Sequence, residues 1–88
     1  MKYEIRELLG EPSDAPSLDF RFGLSIIWDY ENPEQANDQW HTSIVFKDWL
    51  VNQFQLNRGY RYQRWNEMYH YVYFTKREDA MLFKLTFA

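Results

Sequence analysis

Few residues in this chain could do covalent or metal chemistry. His41 and His70 are the only imidazoles, and there is no cysteine to serve as nucleophile or thiolate ligand. The sequence holds no glycine-rich phosphate loop and no His-Glu-x-x-His zinc motif. The nearest candidates for acid–base work are Asp29 and Glu31, two carboxylates at a strand-to-turn junction, a place where such groups are ordinarily just solvated. His70 falls on the inner face of an aromatic strand, where a hydrogen-bonded core imidazole is the usual occupant. His41, near a helix start, reads as solvated. These residues predict no catalysis, no metal site and no cofactor.

Binding is the better prospect. Arg61, Gln63, Trp65, Tyr69, Tyr71 and Tyr73 share one face of a predicted hairpin. Tyrosine, tryptophan and arginine are the side chains that dominate binding hot spots, and they also stack on unpaired bases. The competing reading is structural. Tyrosine and tryptophan favour strands, and cross-strand aromatic pairs stabilise hairpins by ~0.2–1 kcal/mol with no partner at all. Three tyrosines and a tryptophan on one face are more than a monomer normally exposes together. We therefore take Arg61, Trp65, Tyr69, Tyr71 and Tyr73 as the expected partner-binding residues. The domain is acidic overall and its basic residues are scattered, which favours a protein partner or a second copy of the chain. Single-stranded nucleic acid is the alternative, carried by the hairpin aromatics with Arg58, Arg61 and Arg64. Should that face be structural only, the acidic half around Asp29, Glu31 and Glu34 is the next place to look.

Those residues need elements to position them. Tyr3 and Ile5 alternate with charged neighbours in a short strand, and residues 11–17, with two prolines, read as a loop. From Leu18 through Phe20, Phe22, Leu24, Ile26 and Trp28 to Tyr30, every second residue is apolar, the mark of a central strand with one buried face. A turn at Asn32-Pro33-Glu34 leads to a helix over 38–54, capped by Asp38, with Trp40, Ile44, Val45, Trp49, Leu50 and Phe54 at helical spacing. Alternation of Trp40, Thr42, Ile44 and Phe46 leaves an extended start over 38–46 open. Asn57-Arg58-Gly59 stops the helix. Residues 60–65 and 69–74 form the hairpin, turning at Asn66-Glu67-Met68. A two-residue turn would bury Arg61 and Gln63 beside Val72 and Phe74, whereas a three-residue turn buries Tyr60 and Tyr62. Burial of an unpaired arginine is the costlier choice, so the three-residue turn is predicted. Thr75-Lys76-Arg77-Glu78 has the form of a capping box before a short helix with Ala80, Met81 and Leu85 inward. The order is ββαββα in one domain over 1–88. The expected fold is α+β, a two-layer sandwich with a four-stranded, mainly antiparallel sheet and two helices on one face, ferredoxin-like in plan.

A chain of 88 residues buries only about two-thirds of its unfolded surface, and here neither disulfides nor thiolate-bound metals supplement the core. Four Trp, seven Tyr and seven Phe compensate, since each aromatic buries roughly 150–250 Å². The net charge of −3 is unevenly spread: residues 1–48 hold ten acidic and four basic groups, residues 49–88 three and six. The amino terminus is too charged for a signal peptide and no apolar run nears the ~18 residues of a membrane span, so a cytoplasmic protein free of membrane is expected.

Two segments resemble known families. Tyr69-His70-Tyr71-Val72-Tyr73-Phe74, followed by Thr75-Lys76-Arg77-Glu78-Asp79-Ala80, resembles the third strand and second helix of the RNA-recognition motif. That resemblance implies a ferredoxin-like plan more than it implies RNA binding. The ending Glu78-Asp79-Ala80-Met81-Leu82-Phe83-Lys84-Leu85 looks like the tail of small accessory proteins of T4-like bacteriophages and cyanophages. It implies a phage factor at work in the bacterial cytoplasm and names no activity.

Overall fold

Six elements follow in the order β1 (Tyr3–Glu7), β2 (Phe22–Trp28), α1 (Gln35–Phe54), β3 (Tyr60–Arg64), β4 (Tyr69–Phe74) and α2 (Arg77–Phe87). The computed structural model describes residues 3–8, 19–28, 35–54, 59–65 and 68–88, with only the backbone of 35–38. The predicted loop over 11–17, the turn at Asn32-Pro33-Glu34 and the Asn57-Arg58 stop lie outside the described residues, as do Leu18, Asp29, Tyr30, Glu31, Asn66 and Glu67; α1 begins at Gln35, so Asp38 lies inside the helix and is not its N-cap. The strands form one four-stranded sheet in the order β1-β2-β4-β3, each pair antiparallel. The fold is thus α+β with two helices, and residues 38–46 are helical.

The two inner strands, β2 and β4, carry the strongest apolar alternation. Leu24, Ile26, Trp28, Val72 and Phe74 point to one face and are buried there with Ile5 of β1. Phe22, at the start of the same row, is half-buried, as is Phe20 just before the strand. Phe46 and Leu50 of α1 and Ala80 and Phe83 of α2 close this cluster, so both helices cover the same face of the sheet. Phe83 joins all three parts, with its ring 5.4 Å from Phe46, 5.9 Å from Phe74 and 5.6 Å from Trp49, centroid to centroid. At separations of 4.5–7 Å such pairs attract beyond their burial alone. The chain ends are fastened to the same layer, because the Tyr3 hydroxyl donates to the carbonyl of Phe87 at 2.8 Å.

The hairpin has the predicted register. Tyr60 pairs with Phe74, Tyr62 with Val72 and Arg64 with His70, while the Trp65 amide donates to the Tyr69 carbonyl at 3.1 Å, leaving a three-residue loop. At its far end the Thr75 amide donates to the Gly59 carbonyl. A Cβ on Gly59 would lie 3.3 Å from the Phe54 ring and 3.4 Å from Thr75 Oγ1, so glycine lets the end of α1 close onto the hairpin base.

Three further expectations fail, two for reasons of packing and one for a backbone hydrogen bond. In α1 the buried face is Gln39, Ser43, Phe46 and Leu50, and Trp40, Ile44 and Val45 are exposed. Apolar residues occur on more than one side of this helix, and the sheet, not the periodicity, selects which side is covered. In α2, Phe83 is buried where Leu85 was expected; Leu85 is 81% exposed. The capping box does not form. Lys76 is the N-cap, in extended conformation and without a side-chain hydrogen bond, and α2 begins at Arg77. The Thr75 amide is committed to the hairpin ladder, which keeps Thr75 in line with the strand and moves the helix start beyond its reach.

The positions of Phe83 and Leu85 yield a direct contrast. Phe83→Ala should cost ~3–5 kcal/mol of unfolding free energy, and Leu85→Ser should stay within about 0.5 kcal/mol of wild type. Denaturant unfolding of both variants measures it; an equal loss in the two would mean that α2 is rotated on its axis.

Candidate functional site

The outer face of the sheet carries the residues singled out for binding. Successive cross-strand rows there are Ile27-Tyr69, Ser25-Tyr71-Gln63 and Gly23-Tyr73-Arg61, with Arg6 and Glu4 of β1 at the edge. Arg61 is exposed, Trp65 is 60% exposed at the hairpin tip beside exposed Met68, and Tyr69 and Tyr71 are half-buried. Tyr73 departs from the expectation. Its ring stacks on that of Tyr71 at 6.2 Å and 24°, but its side chain is fully buried. It supports Tyr71 and offers no contact area of its own. The accessible face therefore consists of Arg61, Trp65, Tyr69 and Tyr71, flanked by the Arg6–Glu4 ion pair at 2.8 Å. The Arg6 guanidinium holds the Glu4 carboxyl below its usual range through that hydrogen bond.

On the inner face, at the hairpin-tip end, the geometry produces a second feature. A half-open cleft of about 440 Å³ lies between α1 and the hairpin, lined by Gln39, Trp40, Ser43 and Lys47 of α1 and Tyr62, Arg64 and His70 of the strands. Here the inward side of the sheet runs past the buried aromatic cluster, so the polar residues Arg64 and His70 follow Tyr62 where Phe74 and Val72 face Tyr60 and Tyr62 further down. Tyr62 Oη and His70 Nδ1 share a hydrogen bond of 2.5 Å, and Lys47 Nζ stands 5.4 Å from the centre of the Tyr62 ring, within cation–π range. The Ser43 hydroxyl donates to the Trp40 carbonyl at 2.8 Å.

His70 is 4% exposed, and its Nε2 has no hydrogen-bond partner among the described residues. Burial, and then the charges of Arg64 and Lys47, lower its pKa from 6.5 to about 4, so the ring is neutral at neutral pH. Burial likewise raises the Tyr62 phenol well above its ordinary value, with Arg64 opposing in part, and it stays a hydroxyl. We assign the imidazole hydrogen to Nδ1, donating to Tyr62 Oη. The other tautomer would strand a buried N–H donor at Nε2, which is costlier than a bare acceptor. In the assigned form the Tyr62 hydroxyl keeps its own hydrogen for the cleft.

The expected core role of His70 is thus met by its burial and its hydrogen bond, while His41 is exposed as expected, with its ring 5.0 Å from that of Trp40. The cleft itself was not read from the sequence. Its only trace there is the polar stripe Gln39-Ser43-Lys47, spaced by one helical turn on a helix that must bury a neighbouring face. Among the described residues no group of three or more His, Asp or Glu side chains comes together as metal ligands do, and no helix is long and apolar enough to cross a membrane. No family model, no curated protein and no solved structure matches the chain.

Acid titration tests the placement of His70. The histidine of the unfolded chain takes up a proton near pH 6.5, and folded His70 refuses it until about pH 4. Among the described residues, the groups packed around it are Tyr62, Trp28, Arg64 and Lys47, with no carboxylate to compensate. Because its folded pKa is depressed, the neutral ring leaves stability unchanged above pH 6.5 and lowers it as pH falls through that window. Urea unfolding at several pH values should show wild type losing more stability between pH 6.5 and pH 4 than His70→Gln does. Parallel losses would mean that His70 is solvated.

Proposed function

We propose that this domain acts by binding rather than by catalysis, and that it docks a protein, either a partner or a second copy of itself, through the outer face of the sheet at Arg61, Trp65, Tyr69 and Tyr71. The observation that carries this reading is where the helices sit. Both cover the inner face, and the outer face keeps a 60%-exposed tryptophan at the hairpin tip, with two half-buried tyrosines and an exposed arginine on adjacent strands. Strands hold such side chains in place, so little rotamer freedom is lost on binding. The resemblance of the last helix to phage accessory proteins makes a bacterial cytoplasmic protein the partner to seek first.

The strand order supports a ferredoxin-like plan with displaced chain ends. β2, α1 and β3 form a split unit in which β4 lies between the two strands, and β1 adds to the free edge of β2. In a ferredoxin-like chain that edge strand comes last; here it comes first.

The test is a paired substitution. Trp65→Ser with Tyr71→Ser should leave the thermal transition cooperative, since neither ring enters the core. It should abolish self-association in sedimentation equilibrium, or capture of the bacterial partner on a column of the domain, because one hot-spot aromatic carries ~2 kcal/mol or more. A folded double variant that keeps every interaction of the wild type overturns the proposal. The single-stranded nucleic-acid reading gives a different result, oligonucleotide affinity that falls steeply with salt and weakens in Arg61→Ala.

A further inference from the structure

We propose that the cleft between α1 and the β3–β4 hairpin binds a nucleotide-like ligand, a phosphate held by Lys47, Arg64 and the Tyr62 hydroxyl with a planar ring laid against Trp40. None of these residues belongs to the outer face, so the site stands or falls apart from the docking reading.

The volume fits. At about 440 Å³ the cleft lies in the ~300–1,000 Å³ range of small-ligand sites. Its charge is the stronger point. The chain has thirteen acidic and ten basic residues, yet the described lining holds two permanent cations and no carboxylate. Neither Lys47 nor Arg64 forms an ion pair with a carboxylate among the described residues. Two like charges drawn to one concavity repel each other, and an anion between them removes that repulsion. Arginine presents a planar fork of donors that suits phosphate, and lysine adds a point charge.

The Tyr62–His70 pair supplies a neutral donor. With the imidazole hydrogen on Nδ1, Tyr62 Oη accepts from His70 and donates its own hydrogen outward to a phosphate oxygen. His70 lines the cleft while 96% buried, so the imidazole that donates to Tyr62 is held in place from behind. Trp40 completes the picture: a tryptophan that lines a polar cleft and is still 61% exposed offers a broad ring face for stacking. A phosphate and a planar ring held side by side are what a mononucleotide presents, and equally what a terminal nucleotide of a single strand presents.

Side-chain NMR on the full chain tests this with AMP, inorganic phosphate and a short oligothymidylate as probes. The Trp40 indole and His70 ring signals should move saturably with AMP, and His70 should titrate at higher pH in its presence, since a bound phosphate offsets the two cations. Lys47→Gln and Arg64→Gln, both exposed positions, should each weaken AMP by at least ~10-fold, and Trp40→Ala should reduce AMP affinity to that of inorganic phosphate. AMP binding more tightly than one unit of oligothymidylate assigns the free nucleotide as ligand, and the reverse assigns a strand end. No saturable shift up to ~10 mM AMP, or shifts unchanged in a folded Lys47→Gln, Arg64→Gln double variant, overturns the proposal.

Discussion

The parity of β3 against β4 is the constraint on which the rest of this structure depends. The three-residue hairpin loop places Tyr60 and Tyr62 on the helix-covered side with Val72 and Phe74, and Arg61 and Gln63 on the other. One residue more or less in that loop would exchange the two sets, because strand side chains alternate strictly. The core would then have to take Arg61, and the Tyr62–His70 hydrogen bond would be lost. The same parity that fills the core with aromatics places Tyr71 outside and draws Arg64 and His70 together at the mouth of the cleft. Both candidate surfaces are consequences of one turn.

Packing on the covered side is correspondingly aromatic. Phe46 meets Tyr3, Trp28, Phe83 and Phe87 at centroid distances of 4.8–6.1 Å, so one α1 ring touches the first two strands and the carboxy-terminal helix. A small domain has little aliphatic volume available, and rings of this size let a few positions join every layer. At the cleft this packing gives way to polar groups. Lys47 is one residue beyond Phe46 on α1, and Arg64 is two residues beyond Tyr62 on β3, so the transition from core to site takes less than one turn of helix or one strand repeat.

What was legible in the sequence follows from which signals are local. Period-two alternation through Leu24, Ile26 and Trp28 identifies the strand and its buried face, because no other arrangement hides those three together. The cost of burying Arg61 was enough to choose the hairpin loop. Helix faces were less legible. In α1, Trp40, Ile44 and Val45 look as apolar as Phe46 and Leu50, and only the position of the sheet decides between them. Thr75 shows two local rules in conflict, where a ladder hydrogen bond prevailed over a cap. Tyr73 was correctly placed on the outer face, and its burial there is a tertiary fact with no local signal. The cleft was illegible because its residues come from a helix and from the hairpin that follows it, brought together only by tertiary packing, and none of them forms a motif.

The register can be measured without reference to either surface. Trp65 with Tyr69, and Gly59 with Thr75, are hydrogen-bonded pairs, so Tyr60–Phe74, Tyr62–Val72 and Arg64–His70 are the close, non-hydrogen-bonded pairs between them. Their α-protons should give strong cross-strand nuclear Overhauser effects in the folded domain. Effects from Tyr62 to Tyr71 and from Arg64 to Tyr69 in their place would show a two-residue turn, and would contradict the placement of the core, the outer face and the cleft together.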